Sequence, residues 1–349
     1  MSNKYTKQHS YSYPLMRAQD YAKLIYQGEF GVEHFGGAGD STRLLEEMRL
    51  AQNEEGTFPL IENVSDKFAR VNLKPFAIKN MSAELLSELI EKSSVVVGSS
   101  EVYYQKLDEF CDMVKGREIL LPLYSTLRFV SDLKSKPIKA MHHSPSYRLN
   151  YAPHYRLISR DYATILEILD SIYRLLRHKL SVIVAIDGNS GAGKSYFSQI
   201  ISNVFGGCNV IHTDDFFLPQ SLRNKQRLSE VGGNIDYARL SEVVNKVKFG
   251  LPFTYEGYNC HTDSFTEIDF LPKRLTVVEG VYSMHPSVIG QYDNTYIISC
   301  IENKQAERIL ARSGREMLLR FVNEWIPLEN LYFDTLPKDV IRVDTSLIS

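Results

Sequence analysis

The eight residues Gly188, Asn189, Ser190, Gly191, Ala192, Gly193, Lys194 and Ser195 fit G-x-x-x-x-G-K-[ST], a spacing whose chemistry is the holding of phosphate. Gly188, Gly191 and Gly193 permit a turn with positive φ angles and let the backbone approach a ligand closely. Successive N–H groups then converge on an anion at a helix start, where the helix dipole favours negative charge. Lys194 is spaced to reach β- and γ-phosphates, and the Ser195 hydroxyl to sit on Mg²⁺. From average residue usage, a chance match has a probability on the order of one per cent, so the run reads as a nucleoside triphosphate site.

Three further groups follow. His212-Thr-Asp-Asp-Phe-Phe-Leu-Pro219 sets Asp214 and Asp215 just past a short apolar run, where one carboxylate can take a proton from a hydroxyl or orient it. A turn or helix cap is the structural alternative for such a pair. Thr276-Val-Val-Glu-Gly-Val-Tyr282 ends an apolar run in Glu279, an acid that needs a cation or donors if buried and is placed to hold magnesium. Arg308, Arg312 and Arg315 fall at i, i+4 and i+7, one helix face if the helix continues that far. They read either as a lid neutralising a transferring phosphoryl group or as a solvated face, and Gly314 marks a break or hinge. Between these groups, Pro252-Phe-Thr-Tyr-Glu-Gly-Tyr-Asn-Cys-His261 is expected to be an aromatic-polar loop near an acceptor. Tyr255, Tyr258 and His261 are its candidates for stacking or hydrogen bonding, with core packing as the alternative.

The elements that must position these groups alternate. Ser181–Asp187, Cys208–Thr213, Leu275–Glu279 and Thr295–Cys300 read as strands, and Tyr196–Phe205, Tyr237–Lys248 and Lys304–Arg312 as helices. A helix over 161–180 leads into the first strand. Strand–helix alternation implies an α/β fold, a P-loop NTPase-type parallel sheet with helices on both faces. Strand carboxyl ends in such a sheet form the ligand crevice, which directs Asp214 and Asp215 toward the nucleotide.

Residues 1–160 have a different texture, a mainly helical α+β pattern with helices expected over 18–28, 40–53, 82–93 and 102–115 and short strands at Ser94–Val97 and Ile119–Leu123. A length of 349 residues suits two domains, placed at 1–160 and 161–349. Forty basic against 42 acidic residues give a net charge of −2, so no general attraction for nucleic acid or anionic lipid is expected. No apolar run approaches a membrane span and no signal peptide is evident, so a cytoplasmic location is expected. Cys111, Cys208, Cys260 and Cys300 are scattered, without disulfide or zinc spacing.

The phosphate loop, Thr213-Asp-Asp-Phe216, Asp236-Tyr-Ala-Arg-Leu240, Val278-Glu-Gly280 and the arginine helix together resemble the phosphoribulokinase/uridine kinase family, over roughly residues 165–349. The resemblance implies ATP as donor, a small-molecule acceptor with a primary hydroxyl, and the general base at Asp214. The family's ribose-holding acid corresponds here to Gly233 or Asn234, and its Tyr-Asp…His…Arg loop to Tyr255-Glu256…His261 with no arginine following. The lid arginines are represented by Ser313-Gly-Arg315. The resemblance therefore speaks to fold and reaction, and the acceptor stays open.

Residues 26–34 and 142–156 resemble a segment fused ahead of such kinase domains in bacterial proteins. His34, Asp40, His142, His143 and His154 are candidate metal ligands, and Arg148 and Arg156 candidates for a phosphate or carboxylate, against a structural reading of packing and hydrogen bonding. Two other functions compete with a kinase: a nucleotide-controlled switch, and an enzyme whose first half carries a second activity. A guanine-specific switch lacks its Asn-Lys-x-Asp reader, the nearest text being Asn303-Lys-Gln-Ala306.

Overall fold

A computed structural model describes residues 3–31, 41–53, 56–94, 98–260 and 262–346. The chain divides into two compact units, Met1–Thr164 and Ile165–Ser349.

In the first unit, helices at Ala18–Phe30, Ser41–Gln52, Ala83–Ser93 and Ser100–Lys115 lie within two residues of the sequence expectation. Serine hydroxyls start two of them: Ser82 accepts from the Leu85 N–H at 3.2 Å, and Ser99 from the Val102 N–H at 3.4 Å. Tyr21, Tyr26 and Phe30 of one helix pack against Tyr103, Leu107 and Phe110 of another in an aromatic-rich core. The pattern did not disclose a three-stranded antiparallel sheet, β1 (Ile61–Asn63), β2 (Phe68–Asn72) and β3 (Tyr155–Ser159), in that order. Its register pairs Phe68 with Ser159, residues too far apart in sequence for any local signal. The strand expected at Ile119–Leu123 is instead a bend leading into a helix at Leu123–Lys134. Pro122 has no N–H for a ladder and suits the helix start, while Ile119 is buried in the core. Of the expected strand at Ser94–Val97, Ser94 ends a helix and the remainder lies outside the described residues.

The second unit is built on β4 (Val182–Asp187), β5 (Asn209–His212), the pair β6 (Phe253–Asn259) and β7 (Ser264–Phe270), then β8 (Leu275–Glu279), β9 (Asn294–Ser299) and β10 (Ile341–Asp344). Five of these form a parallel sheet in the order β10-β9-β4-β8-β5. Every residue of β4 and β8 is buried, as unbroken β-branched runs covered on both faces require. The helix Tyr237–Lys248 turns Leu240, Val243, Val244 and Val247 onto this sheet, each contributing roughly 1.5–3 kcal/mol by burial. Asp236 caps it, accepting from the Arg239 N–H at 3.1 Å. The expected loop at 252–261 is instead one arm of the antiparallel hairpin β6–β7, whose register sets Phe253 opposite Phe270 and Tyr255 opposite Ile268. The arginine helix runs Glu302–Arg320 but breaks at Gly314, whose φ of 79° and ψ of 175° belong to glycine almost alone. It continues through a turn at Phe321–Trp325 into Ile326–Thr335.

Candidate functional site

The loop between β4 and the helix Lys194–Val204 curls as its glycines allow, with Gly188, Gly191 and Gly193 all at positive φ. Lys194 is buried, and its Nζ donates to the carbonyls of Gly188 at 2.7 Å and Asn189 at 3.1 Å. The loop is braced from several sides. Asp187, wholly buried at the end of β4, accepts from the N–H groups of Gly188, Tyr282 and Met284 at 2.7, 3.1 and 2.9 Å, and from the Tyr332 hydroxyl at 2.6 Å. Burial pushes its carboxyl up to about 6, against the pull of these donors and of Lys194. Arg308 donates to the carbonyls of Gly191 at 3.2 Å and Ala192 at 3.3 Å, and to the backbone oxygen of Thr345 at 2.9 Å. It therefore lies apart from the expected lid role, its guanidinium spent on carbonyls of the loop. Glu329, buried on the helix Ile326–Thr335, accepts from the Ser190 N–H at 2.9 Å and the Ser190 hydroxyl at 2.6 Å.

The parallel register sets the strand ends level. Glu279 pairs with Ile186 of β4 on one side and His212 of β5 on the other. The Ser195 hydroxyl donates to Glu279 Oε1 at 2.9 Å, and His212 Nδ1 lies 2.6 Å from the same oxygen. Burial opposes ionisation of Glu279, yet the His212 contact and the Lys194 charge hold its carboxyl below the usual range. The contact with Glu279 in turn raises His212 above an ordinary imidazole, against burial. After β8 the chain must pass close to β5: a Cβ on Gly280, at φ 145°, would stand 1.8 Å from Thr213 Oγ1. Only glycine fits there.

Asp214 and Asp215 occupy a short 3₁₀ turn, Thr213–Phe216, directly after β5. Asp214 keeps much of its surface open while protein atoms surround it, as at the floor of an open cleft. That environment raises its carboxyl, with Lys194 pulling it down and Glu279 pushing it up. Asp215 is also raised by burial, and the Tyr255 hydroxyl lies 3.4 Å from its Oδ2. Tyr255 stacks on Phe216 at 5.8 Å between ring centres. Arg239 donates to the Asp215 carbonyl at 2.9 Å and lies over the Phe216 and Phe265 rings at 5.4 and 4.8 Å. Tyr258 is buried, its hydroxyl committed to Asp263, and so serves the hairpin tip. His261 lies outside the described residues. Arg312 is exposed, covers the Phe321 ring and lies within electrostatic range of Asp214. Arg315 is exposed beyond the break at Gly314, so the three arginines do not form one continuous helix face.

Thus the structure brings together Lys194, Ser195, Glu279 and Asp214, with Asp215 and Tyr255 alongside. The sequence reading passed over Asp187, His212, Arg239 and Glu329. The position of Asp187 at a strand end before the loop is a usable signal, but nothing local marks Glu329 as the partner of Ser190. Oxygen ligands suit Mg²⁺, and the adjacent Ser195 hydroxyl and buried Glu279 carboxylate fit that ion.

Among its described residues, the first unit brings no expected metal ligands together. Both ring nitrogens of His143 are spent, Nδ1 at 3.0 Å from Asp20 Oδ1 and Nε2 at 2.6 Å from the Tyr155 hydroxyl. Among the described residues no group of three or more His, Cys, Asp or Glu side chains could hold a metal, and His34 and Asp40 lie outside them. Also among the described residues, no helix is long and apolar enough to cross a membrane.

A five-stranded parallel sheet with a glycine-rich phosphate loop between its central strand and the next helix defines the second unit as a P-loop NTPase-type fold. No protein-family model matches the sequence, and no curated protein matches it significantly. Similar solved structures include a possible uridine kinase from Bacillus stearothermophilus, at 17% identity and a TM-score of 0.42, covering 52% of this chain and 97% of that one. Another is a candidate fructose transport system kinase from a Silicibacter species, at 18% identity and a TM-score of 0.41, covering 51% and 95%. A third, from Saccharomyces cerevisiae, is described as a candidate P-loop kinase with a circular permutation, at 12% identity and a TM-score of 0.40, covering 53% and 99%.

Proposed function

We propose that the second unit is an ATP-dependent phosphotransferase that moves the γ-phosphoryl group to a hydroxyl of a small molecule. The observation that carries this reading is the meeting of phosphate loop, Glu279 and Asp214 at the strand ends, where Ser195 donates to Glu279 and Asp214 feels the charge of Lys194. Loop N–H groups and the helix start receive the phosphates. Lys194, attached to loop carbonyls, exchanges them for the β- and γ-phosphates. Ser195 and Glu279 hold Mg²⁺, which offsets the phosphate charge when bound, and His212 fixes the orientation of Glu279. Asp214 accepts the acceptor hydroxyl's proton as its oxygen bonds to the γ-phosphorus, while the bond to the β–γ bridging oxygen breaks and ADP leaves. Asp215, Tyr255 and Arg239 line the acceptor side. Arg312, with Arg315 on the mobile side of the Gly314 hinge, neutralises the transferring group, and Arg308 keeps the loop in shape.

The test is ADP release from Mg·ATP in the presence of nucleosides, pantothenate, glycerate and sugar phosphates in turn. Acceptor-stimulated release that disappears in Asp214→Asn, with ATP affinity retained, is the expected result. Equal turnover by that variant removes Asp214 as the base, and no adenine-nucleotide uptake in calorimetry with magnesium removes the kinase reading. Another reading, a nucleotide-controlled switch, draws support from Glu329, whose hold on Ser190 ties the helix Ile326–Thr335 to the phosphate loop. It requires nucleotide-dependent rearrangement without acceptor-stimulated ADP release.

A further inference from the structure

The first unit contains a cavity of about 220 Å³ whose lining includes Lys23, Gln27, His143, Arg148, Tyr155 and Arg156. No carboxylate is among the described residues that line it. Hydrogen-bond accounting shows what it has left to offer. Asp20 spends its oxygens on His143 Nδ1, the Ser144 N–H and hydroxyl, and the Arg17 N–H, at 3.0, 2.9, 2.6 and 2.9 Å. An ionised Asp20 fixes the proton of His143 on Nδ1, so Nε2 must accept the Tyr155 hydroxyl proton. The Tyr155 oxygen then accepts from Gln27 Nε2 at 3.1 Å, and Gln27 Oε1 accepts two N–H groups of the buried Arg70, at 3.2 and 2.8 Å. This chain of acceptors is closed.

The donors are not. Lys23 is only 8% exposed, yet its ammonium donates to just one protein oxygen, the Met141 carbonyl at 2.7 Å, and has no carboxylate in ion-pair range among the described residues. Burial, with Arg70 nearby, pulls it down to about 8, and the charge of Asp20 only partly offsets this. Arg148 is exposed at the rim and likewise lacks a carboxylate partner among the described residues. Arg156 is anchored to Glu47 and to the Tyr155 carbonyl. A buried ammonium with no carboxylate in contact is costly unless an anion can join it.

We infer that this cavity is a binding site for a small organic anion, a phosphomonoester or a carboxylate, held by Lys23 within and by Arg148 at the mouth, where the Glu47-paired Arg156 adds only its remaining N–H groups. The guanidinium fork suits either oxyanion, and the volume, several times the roughly 30 Å³ share of a water, admits a short carbon skeleton with it. This site is independent of the phosphate loop.

Calorimetry on the full chain carrying Lys194→Ala, which weakens the competing loop, tests the inference with inorganic phosphate, glycerol 3-phosphate and malonate. At least one probe should bind, and Arg148→Glu and Lys23→Met should each weaken it at least tenfold. Uptake of the two phosphates without malonate assigns a phosphomonoester; uptake of malonate alone assigns a carboxylate. Because Arg148 is exposed, its charge reversal leaves the fold intact even if Lys23→Met does not. Absence of uptake of all three at millimolar concentration overturns the site, as does binding that Arg148→Glu leaves unchanged.

Discussion

At the scale of residues, the candidate catalytic cluster depends on carboxylates whose acidities are set apart by their surroundings. Glu279 is held below the usual carboxylate range by His212 and Lys194 despite burial, while the protein atoms around the open cleft floor raise Asp214. On the proposed mechanism, Asp214→Asn lowers kcat by at least about 100-fold, the lower range for a general base, and leaves the ATP Kd within twofold. Because the Asp214 carboxyl is raised above 3.8 and must be ionised to act, kcat/KM falls toward acid with its limb above that value. The residual rate of the asparagine variant should lack the limb. His212→Asn tests the support of Glu279: the Mg²⁺ concentration for half-maximal rate should rise about tenfold, with binding of metal-free ATP unchanged. An unaltered magnesium titration would reduce His212 to a surface contact.

At the scale of elements, the break in the arginine helix has consequences of its own. Gly314 has nothing within 4 Å of where a Cβ would stand, so an alanine there meets no steric obstacle and opposes only the backbone conformation. Gly314→Ala costs the broken form about 1–3 kcal/mol and favours a continuous helix that repositions Arg315. The expected outcome is a several-fold lower kcat with nucleotide affinity within twofold, because the lid changes while the loop does not. Unchanged steady-state kinetics would show that the break is not a hinge. Much of this level was readable beforehand. The strands β4, β5, β8 and β9 and the helix Tyr237–Lys248 follow from apolar runs and a 3.6-residue period. The hairpin β6–β7 is not legible as strands because Gly257 interrupts its first arm and the second arm, mostly polar and exposed, shows no regular apolar alternation. The exposed fourth position of β10 and its short span hid that edge strand.

At the scale of the whole molecule, each unit carries its own electrostatic signature. Burial pushes His143 down to about 4, and the hydrogen bond to Asp20 only partly offsets this. In the unfolded chain the same imidazole titrates near 6.5. As pH falls from 6.5 to 4 the unfolded state therefore takes up a proton before the folded one, and the first unit loses up to about 3 kcal/mol of stability. Hydrogen exchange of the helix Ala18–Phe30 and of β3 should accelerate over that window, and His143→Gln should flatten the dependence. Trp325, the chain's single tryptophan, lies in the second unit, so its fluorescence follows that unit separately.

The sequence alone determined the phosphate loop, the positions of four parallel strands along the chain and the carboxylates at their ends, since each is encoded within a few neighbouring residues. Turn glycines, unbroken apolar strands and a lysine beside a helix start need no distant partner to be recognised. Tertiary structure decided the rest. It turned Arg308 onto the loop carbonyls, set Glu329 against Ser190, joined His212 to Glu279, and enclosed Lys23 in a cavity with no carboxylate among its described lining residues. These pairings depend on which strands lie side by side and on how far a chain of many tens of residues returns. No periodicity or spacing records that.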